Sequence, residues 1–215
     1  MFYDHYIVAP VNIRQEIEYI LNSESQYEGI KCAFFKSSQD TPKSEIILGI
    51  IREQKCDNDI LLLCDTSCPE VCIPEEYSGS VKIHKTENIY DLFTESQALQ
   101  EYEDAGSFIV APGWLEDWQN NLRSIGMYDD NSASSFSELY SSILILDIGI
   151  HSDFVFKAEE FSKFVDVPFK ILNVGMGYFS VVFDNLILRW SIEKKQKQLK
   201  LCQRKAASYA MSIDL

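Results

Sequence analysis

Apolar residues fall along this chain in short strand-like runs separated by stripes at helical spacing. Residues 6–10, Tyr-Ile-Val-Ala-Pro, predict a strand stopped by proline, and Asn12 stands where it would cap a helix running to about residue 22. Residues 31–36 predict a second strand. Pro42 occupies a position that the first turn of a helix tolerates, and Ile46, Ile47, Ile50 and Ile51 then mark one apolar face. Residues 60–64 are continuously apolar, the pattern of a parallel strand covered on both faces. Pro69 and Pro74 make the following stretch irregular, residues 81–84 resume as a strand, and Ile89, Leu92 and Phe93 open another helix.

The pattern then starts again. Residues 109–112 repeat the Ile-Val-Ala-Pro of residues 7–10, Gly113 permits a turn, and Trp114, Leu115, Trp118 and Leu122 follow on a helix. Residues 129–135 are polar and turn-rich, with Phe136, Leu139 and Tyr140 on a short helix after them. Two strands, 143–147 and 168–172, enclose a helix whose Phe156, Phe161 and Phe164 suit a buried face. An apolar run ending in an acid follows each copy of the phrase, closing on Asp65 in the first and on Asp147 in the second. Four identities alone carry little, but repeated surroundings indicate duplication. The expected fold class is therefore α/β: two pseudo-duplicated lobes, residues 1–105 and 106–175, with mostly parallel sheets and a central cleft. The second lobe has no counterpart of the 31–36 strand.

From Met176 the chain reads as one long C-terminal helix, residues 176–215. Leu188, Ile192, Lys195, Leu199, Cys202, Ala206, Tyr209 and Ile213 recur at alternating steps of four and three. Such a helix either pairs with a second copy, giving a homodimer through residues 176–213, or packs on its own body. Both readings stay open.

Hydrophobic residues make up 46% of the chain, ample for a core, while no apolar run approaches the roughly 20 residues that span a bilayer. No signal-peptide pattern opens the sequence, so a cytoplasmic protein without membrane insertion is expected. Net charge is −14, unevenly divided: residues 189–215 carry +5 and residues 1–188 carry −19. An acidic body argues against nucleic acid as a partner, because phosphate neutralisation needs clustered Lys and Arg.

In open α/β sheets ligands bind beyond the carboxyl ends of the strands. Applied here, that rule collects Pro10, Asp65, His84, Gly113, Trp114, Asp147 and Gly175 as candidates for holding a small-molecule ligand or cofactor. Cys64, Cys68 and Cys72 follow a strand at steps of four, and with His84 they form a candidate metal set, since thiolate and imidazole suit zinc, iron–sulfur or cobalt centres. Buried or merely reducible thiols are the plainer alternative. Trp114 and Trp118 make either a cleft wall or core. No nucleophile elbow, phosphate loop, HExxH or paired-carboxylate motif is present, which favours binding over turnover.

The phrase Ala111-Pro112-Gly113-Trp114-Leu115-Glu116, following Gly106-Ser107-Phe108, resembles a domain-of-unknown-function family of methanogenic archaea and anaerobic bacteria. Members carry a Gly-Thr-Tyr-aliphatic-Thr-Pro-Gly-Trp segment there, a cysteine after the strand resembling residues 60–64, and a His-Asp-Cys phrase ending the next strand. Cys64 or Cys68 matches that cysteine and His84 the histidine, whereas Lys85 and Thr86 replace the Asp and Cys. The resemblance spans residues 1–175. It implies a metal ion or corrinoid as cofactor in a methyl-transfer or tetrapyrrole setting, or a sensory module standing ahead of a histidine kinase. The cleft, the missing catalytic motifs and the heptad-bearing helix lead to the second expectation: a cytoplasmic ligand-sensing domain, with a corrinoid- or metal-handling enzyme as the alternative.

Overall fold

The computed structural model describes residues 5–36, 42–54, 59–66, 68, 71–128 and 132–213. The chain divides into a compact unit, Met1–Phe179, and a second unit, Ser180–Leu215. Two all-parallel sheets build the compact unit. The first contains β1 (His5–Pro10), β2 (Lys31–Phe35), β3 (Asp59–Cys64) and β4 (Val81–Lys85) in the order β2-β1-β3-β4. The second contains β5 (Ser107–Val110), β6 (Ser142–Asp147) and β7 (Phe169–Asn173) in sequence order. Among the described residues it is the first sheet's β1-β3-β4 arrangement without an equivalent of β2.

Helices connect the strands: α1 (Arg14–Ser23), α2 (Lys43–Glu53), α3 (Ser96–Asp104), α4 (Pro112–Leu115), α5 (Trp118–Ser124), α6 (Ser132–Leu139), α7 (Phe154–Val165) and α8 (Met176–Ile213). Ile60, Leu62 and Cys64 of β3 pack in one cluster with Ile47 and Ile51 of α2, while Leu61 and Leu63 are buried on the opposite face. Alternating side chains covered on both faces explain why β3 reads as an unbroken apolar run. Each fully buried aliphatic residue contributes roughly 1.5–3 kcal/mol relative to exposure. A second core gathers Phe136, Phe161, Trp114 and Trp118 around Ile143 and Ile145.

Several expectations change. Asn12 does not cap a helix: it lies inside a 3-10 turn, Val11–Ile13, and neither that turn nor α1 has a side-chain cap. Ile89–Leu92 is also a 3-10 turn, capped by Asn88, with α3 starting only at Ser96. The helix expected over Trp114 to Leu122 is broken into α4 and α5 at Glu116 and Asp117. Ser132 to Ser135 belong to α6 instead of a turn, and Asp129 to Asn131 lie outside the described residues, as does Pro69. Phe156 is 67% exposed, because the buried stripe of α7 runs through Phe154, Ala158, Phe161 and Val165.

Among the described residues no helix is long and apolar enough to cross a membrane. Taken by itself, α8 is continuous through 38 residues, and the heptad positions Leu188, Ile192, Lys195, Leu199 and Cys202 are solvent-exposed on it. The side chains of Ala206, Tyr209 and Ile213 lie outside the described residues.

Candidate functional site

β1 has β2 on one side and β3 on the other, so the chain changes direction across the first sheet at the carboxyl ends of β1 and β3. A switch point of this kind leaves a crevice because the segments leaving the two strands diverge. Here those segments are Pro10-Val11-Asn12 and Asp65-Thr66. The end of β5 faces them from the second sheet, so the two Ala-Pro phrases meet. Their contact depends on Gly113: a Cβ at that position would lie 2.5 Å from the Asn12 carbonyl oxygen and 3.5 Å from Glu16 Oε2. Gly113 is required by this approach and not by a positive φ. Gly113→Ala should therefore force the two phrases apart and cost about 1–3 kcal/mol, as overpacking does. Urea denaturation measures it, and unchanged stability would show that the phrases do not touch.

Two chambers open along the junction. The smaller, about 150 Å3, is lined by Pro10, Lys36, Lys43 and Cys68. The larger, about 610 Å3, is lined by Glu87, Asn88, Tyr90 and Glu103. Asn12, Asp65 and Trp114 border both and form their common wall. A cavity of about 980 Å3 exists elsewhere, beside Tyr6, Lys31 and Asn22. Greater volume does not make it the better site: Tyr6 and Lys31 stand near the amino ends of their strands, opposite the end where parallel sheets hold ligands.

The buried polar groups at the junction were not singled out as site residues in the sequence. Tyr90 is buried, and its hydroxyl bonds to the Ala111 backbone and the Asn12 side chain; burial, opposed by those bonds, pushes its pKa upward. Asn12 Oδ1 is buried without a hydrogen-bond partner, and so is Glu16 Oε2. The other carboxylate oxygen of Glu16 lies 3.2 Å from His151 Nε2, a contact joining α1 to the loop after β6. Glu16 had one legible signal, a charged residue on the same buried helical stripe as Ile13, Ile17 and Ile20. Lys36 also crosses the junction, paired with Asp117.

The expected metal set does not assemble. Cys68 folds back after β3, its N–H donating to the Asp65 carbonyl at 3.1 Å, and the Cys64 and Cys68 thiols hydrogen-bond to each other. That bond is the main reason the Cys68 thiol is lowered to about 7. The same bond, reinforced by burial, pushes Cys64 up. Cys72 is exposed, and His84 offers its backbone carbonyl to the Cys64 thiol at 3.9 Å. Among the described residues, no three His, Cys, Asp or Glu side chains are placed to hold a metal ion.

The remaining candidates separate. Pro10, Asp65 and Trp114 come together at the crevice, with Gly113 beside them bordering a small adjoining cavity. Asp147 and Gly175 instead build the turn after β6 and β7: the Asp147 carboxylate accepts from the Gly149 N–H at 2.8 Å, and its carbonyl accepts from Val174 and Gly175. Gly175 adopts φ +67, a left-handed conformation that favours glycine. Trp114 is both wall and core, since its ring meets Phe108 at 5.5 Å and Phe161 at 5.3 Å while bordering both chambers.

Two parallel sheets joined at their carboxyl ends define an α/β protein with a polar crevice. The chain belongs to the family described as Protein of unknown function (DUF1638), whose model matches residues 44–182, more than half of the sequence. The match includes the Pro-Gly-Trp phrase and Asp65 but begins after Pro10 and Asn12. Neither the curated proteins nor the solved structures compared with the chain give a significant match.

Proposed function

We propose that this chain is a ligand-sensing domain of a signal-transduction protein, of the type that stands ahead of a histidine kinase, with a small molecule bound in the crevice and α8 as its output. One observation carries the reading. Tyr90, which borders the larger chamber, has its ring 6.0 Å from that of Phe93, and Phe93 lies 5.0 Å from Phe179 in the first turn of α8. A ligand that shifts the Asn88–Tyr90 turn therefore acts on a packed series of rings ending in the helix, and side-chain packing of this kind transmits displacement because close-packed interiors deform little. The exposed apolar heptad positions farther along α8 supply a means of readout through pairing.

The test couples binding to the helix. A compound from a metabolite panel that binds only the folded state raises the melting temperature. That compound should change amide hydrogen exchange across residues 180–200, and Phe93→Leu should keep the thermal shift while weakening the exchange response. If no compound raises the melting temperature, or if a bound compound leaves exchange in α8 unchanged, the sensing reading is wrong.

A further inference from the structure

The charge of the crevice is divided by position. Lys43, in the first turn of α2, and Lys36, whose ammonium is paired with Asp117, line the smaller chamber, where the shared Asp65 is the one acid among the described lining residues. Asp65, Glu87 and Glu103 line the larger chamber, which has no Lys, Arg or His among its described lining residues. Glu103 is held in place, accepting from Asn88 Nδ2 at 2.8 Å, and Asn88 is itself fixed as the cap of the 3-10 turn. At the boundary stand the Trp114 ring and the buried, unpartnered acceptor Asn12 Oδ1.

From this arrangement the geometry points to a zwitterionic small molecule of amino-acid type as the ligand: its carboxylate lies toward Lys43, and its ammonium lies toward Asp65, Glu87 and Glu103. The inference rests on the sensing reading and names the ligand class for the same crevice. Three physical arguments support it. Opposite charges at opposite ends recognise a dipole better than either ion alone, because each end rejects the wrong group as well as attracting the right one. A surrounding body that carries −19 over residues 1–188 disfavours polyanions such as nucleotides, whereas a ligand of zero net charge escapes that repulsion. Asn12 Oδ1 lacks a donor, and an ammonium N–H supplies one beside the Trp114 face, where a cation is also favoured.

The experiment uses thermal shift and titration calorimetry on the full chain with the twenty common amino acids, β-alanine and γ-aminobutyrate. For the tightest of them, the methyl ester removes the anion and the N-acetyl derivative removes the cation. Each blocked form is expected to bind at least about tenfold more weakly than the parent, the effect of losing one good charged contact. Lys43→Gln should abolish the penalty for the ester, and Glu103→Gln should reduce the penalty for the N-acetyl form. Glu103 is exposed and Lys43 half-buried, so both variants should melt as the parent does. If either blocked form binds as tightly as its parent, the zwitterion assignment falls. It also falls if none of these compounds binds while a phosphate ester, purine or tetrapyrrole does, an outcome that leaves the sensing reading intact. If a broad metabolite panel yields no binder at all, both fall together.

Discussion

Replacing Trp114 by alanine should lower the stability of this protein by about 3–5 kcal/mol, the range found when a large buried ring is removed from a packed core. Trp114 is only 9% exposed, and its ring packs edge-on to Phe108 with an interplanar angle of 71°. Phe108 in turn meets Phe136, Tyr140 and Phe161, so the void would open inside an aromatic cluster that cannot close without moving β5. The same substitution removes the wall shared by both chambers. Trp114→Phe separates the two effects, because it keeps a ring for the core while shortening the surface toward the crevice. Chemical denaturation measures the first effect and ligand titration the second. A loss below about 1 kcal/mol for Trp114→Ala would place the ring outside the core.

His151→Ala should cost about 1–3 kcal/mol, because removing one member of a buried hydrogen-bonded pair leaves the other unsatisfied. The Glu16 side chain is 0% exposed and that of His151 6%. With the imidazole gone, neither oxygen of Glu16 would have a hydrogen bond, as Oε2 already lacks one. Removing both polar groups should be milder than removing one. Glu16→Leu combined with His151→Leu is expected to recover most of the loss, since apolar pairs of similar volume often match or exceed a buried pair. A double-mutant cycle checks this, and a change within about 0.5 kcal/mol for His151→Ala alone would mean that the contact does not hold the two sheets together.

Much of the fold was legible because its strands are covered on both faces, and that requirement writes itself locally as apolar runs such as those of β3 and β6. The duplicated Ala-Pro phrase marked strand ends for the same local reason: proline cannot extend the ladder, and the chain must turn there. The absence of a second β2 could also be read. Helix faces were less secure, since Trp114, Leu115, Trp118 and Leu122 fit one helix or two, and counting from Phe154 instead of Phe156 changes which side of α7 is buried. The crevice was harder still. Asn12 looked like a cap because caps and crevice-lining amides share the same residue type. Glu16 and His151 are 135 positions apart, and Lys36 and Asp117 are 81 apart, separations that no periodicity connects. The cysteine run misled in the opposite way: closeness in sequence suggested three convergent thiols, whereas the turn at Asp65 brings only Cys64 and Cys68 together.

Building the compact unit from two sheets instead of one also has a consequence for self-association. One seven-stranded sheet would have two unpaired margins, while sheets ordered β2-β1-β3-β4 and β5-β6-β7 have four. Each open margin is a template for another chain's backbone, and lysines along it deter such pairing. Three of the four carry them: Lys31 on β2, Lys82 and Lys85 on β4, and Lys170 on β7. The fourth, β5, has no lysine, but α3 packs beside it. In an otherwise acidic body, these few basic residues stand on the margins where a second chain's backbone would pair, so lysines that contribute little to the crevice oppose that pairing.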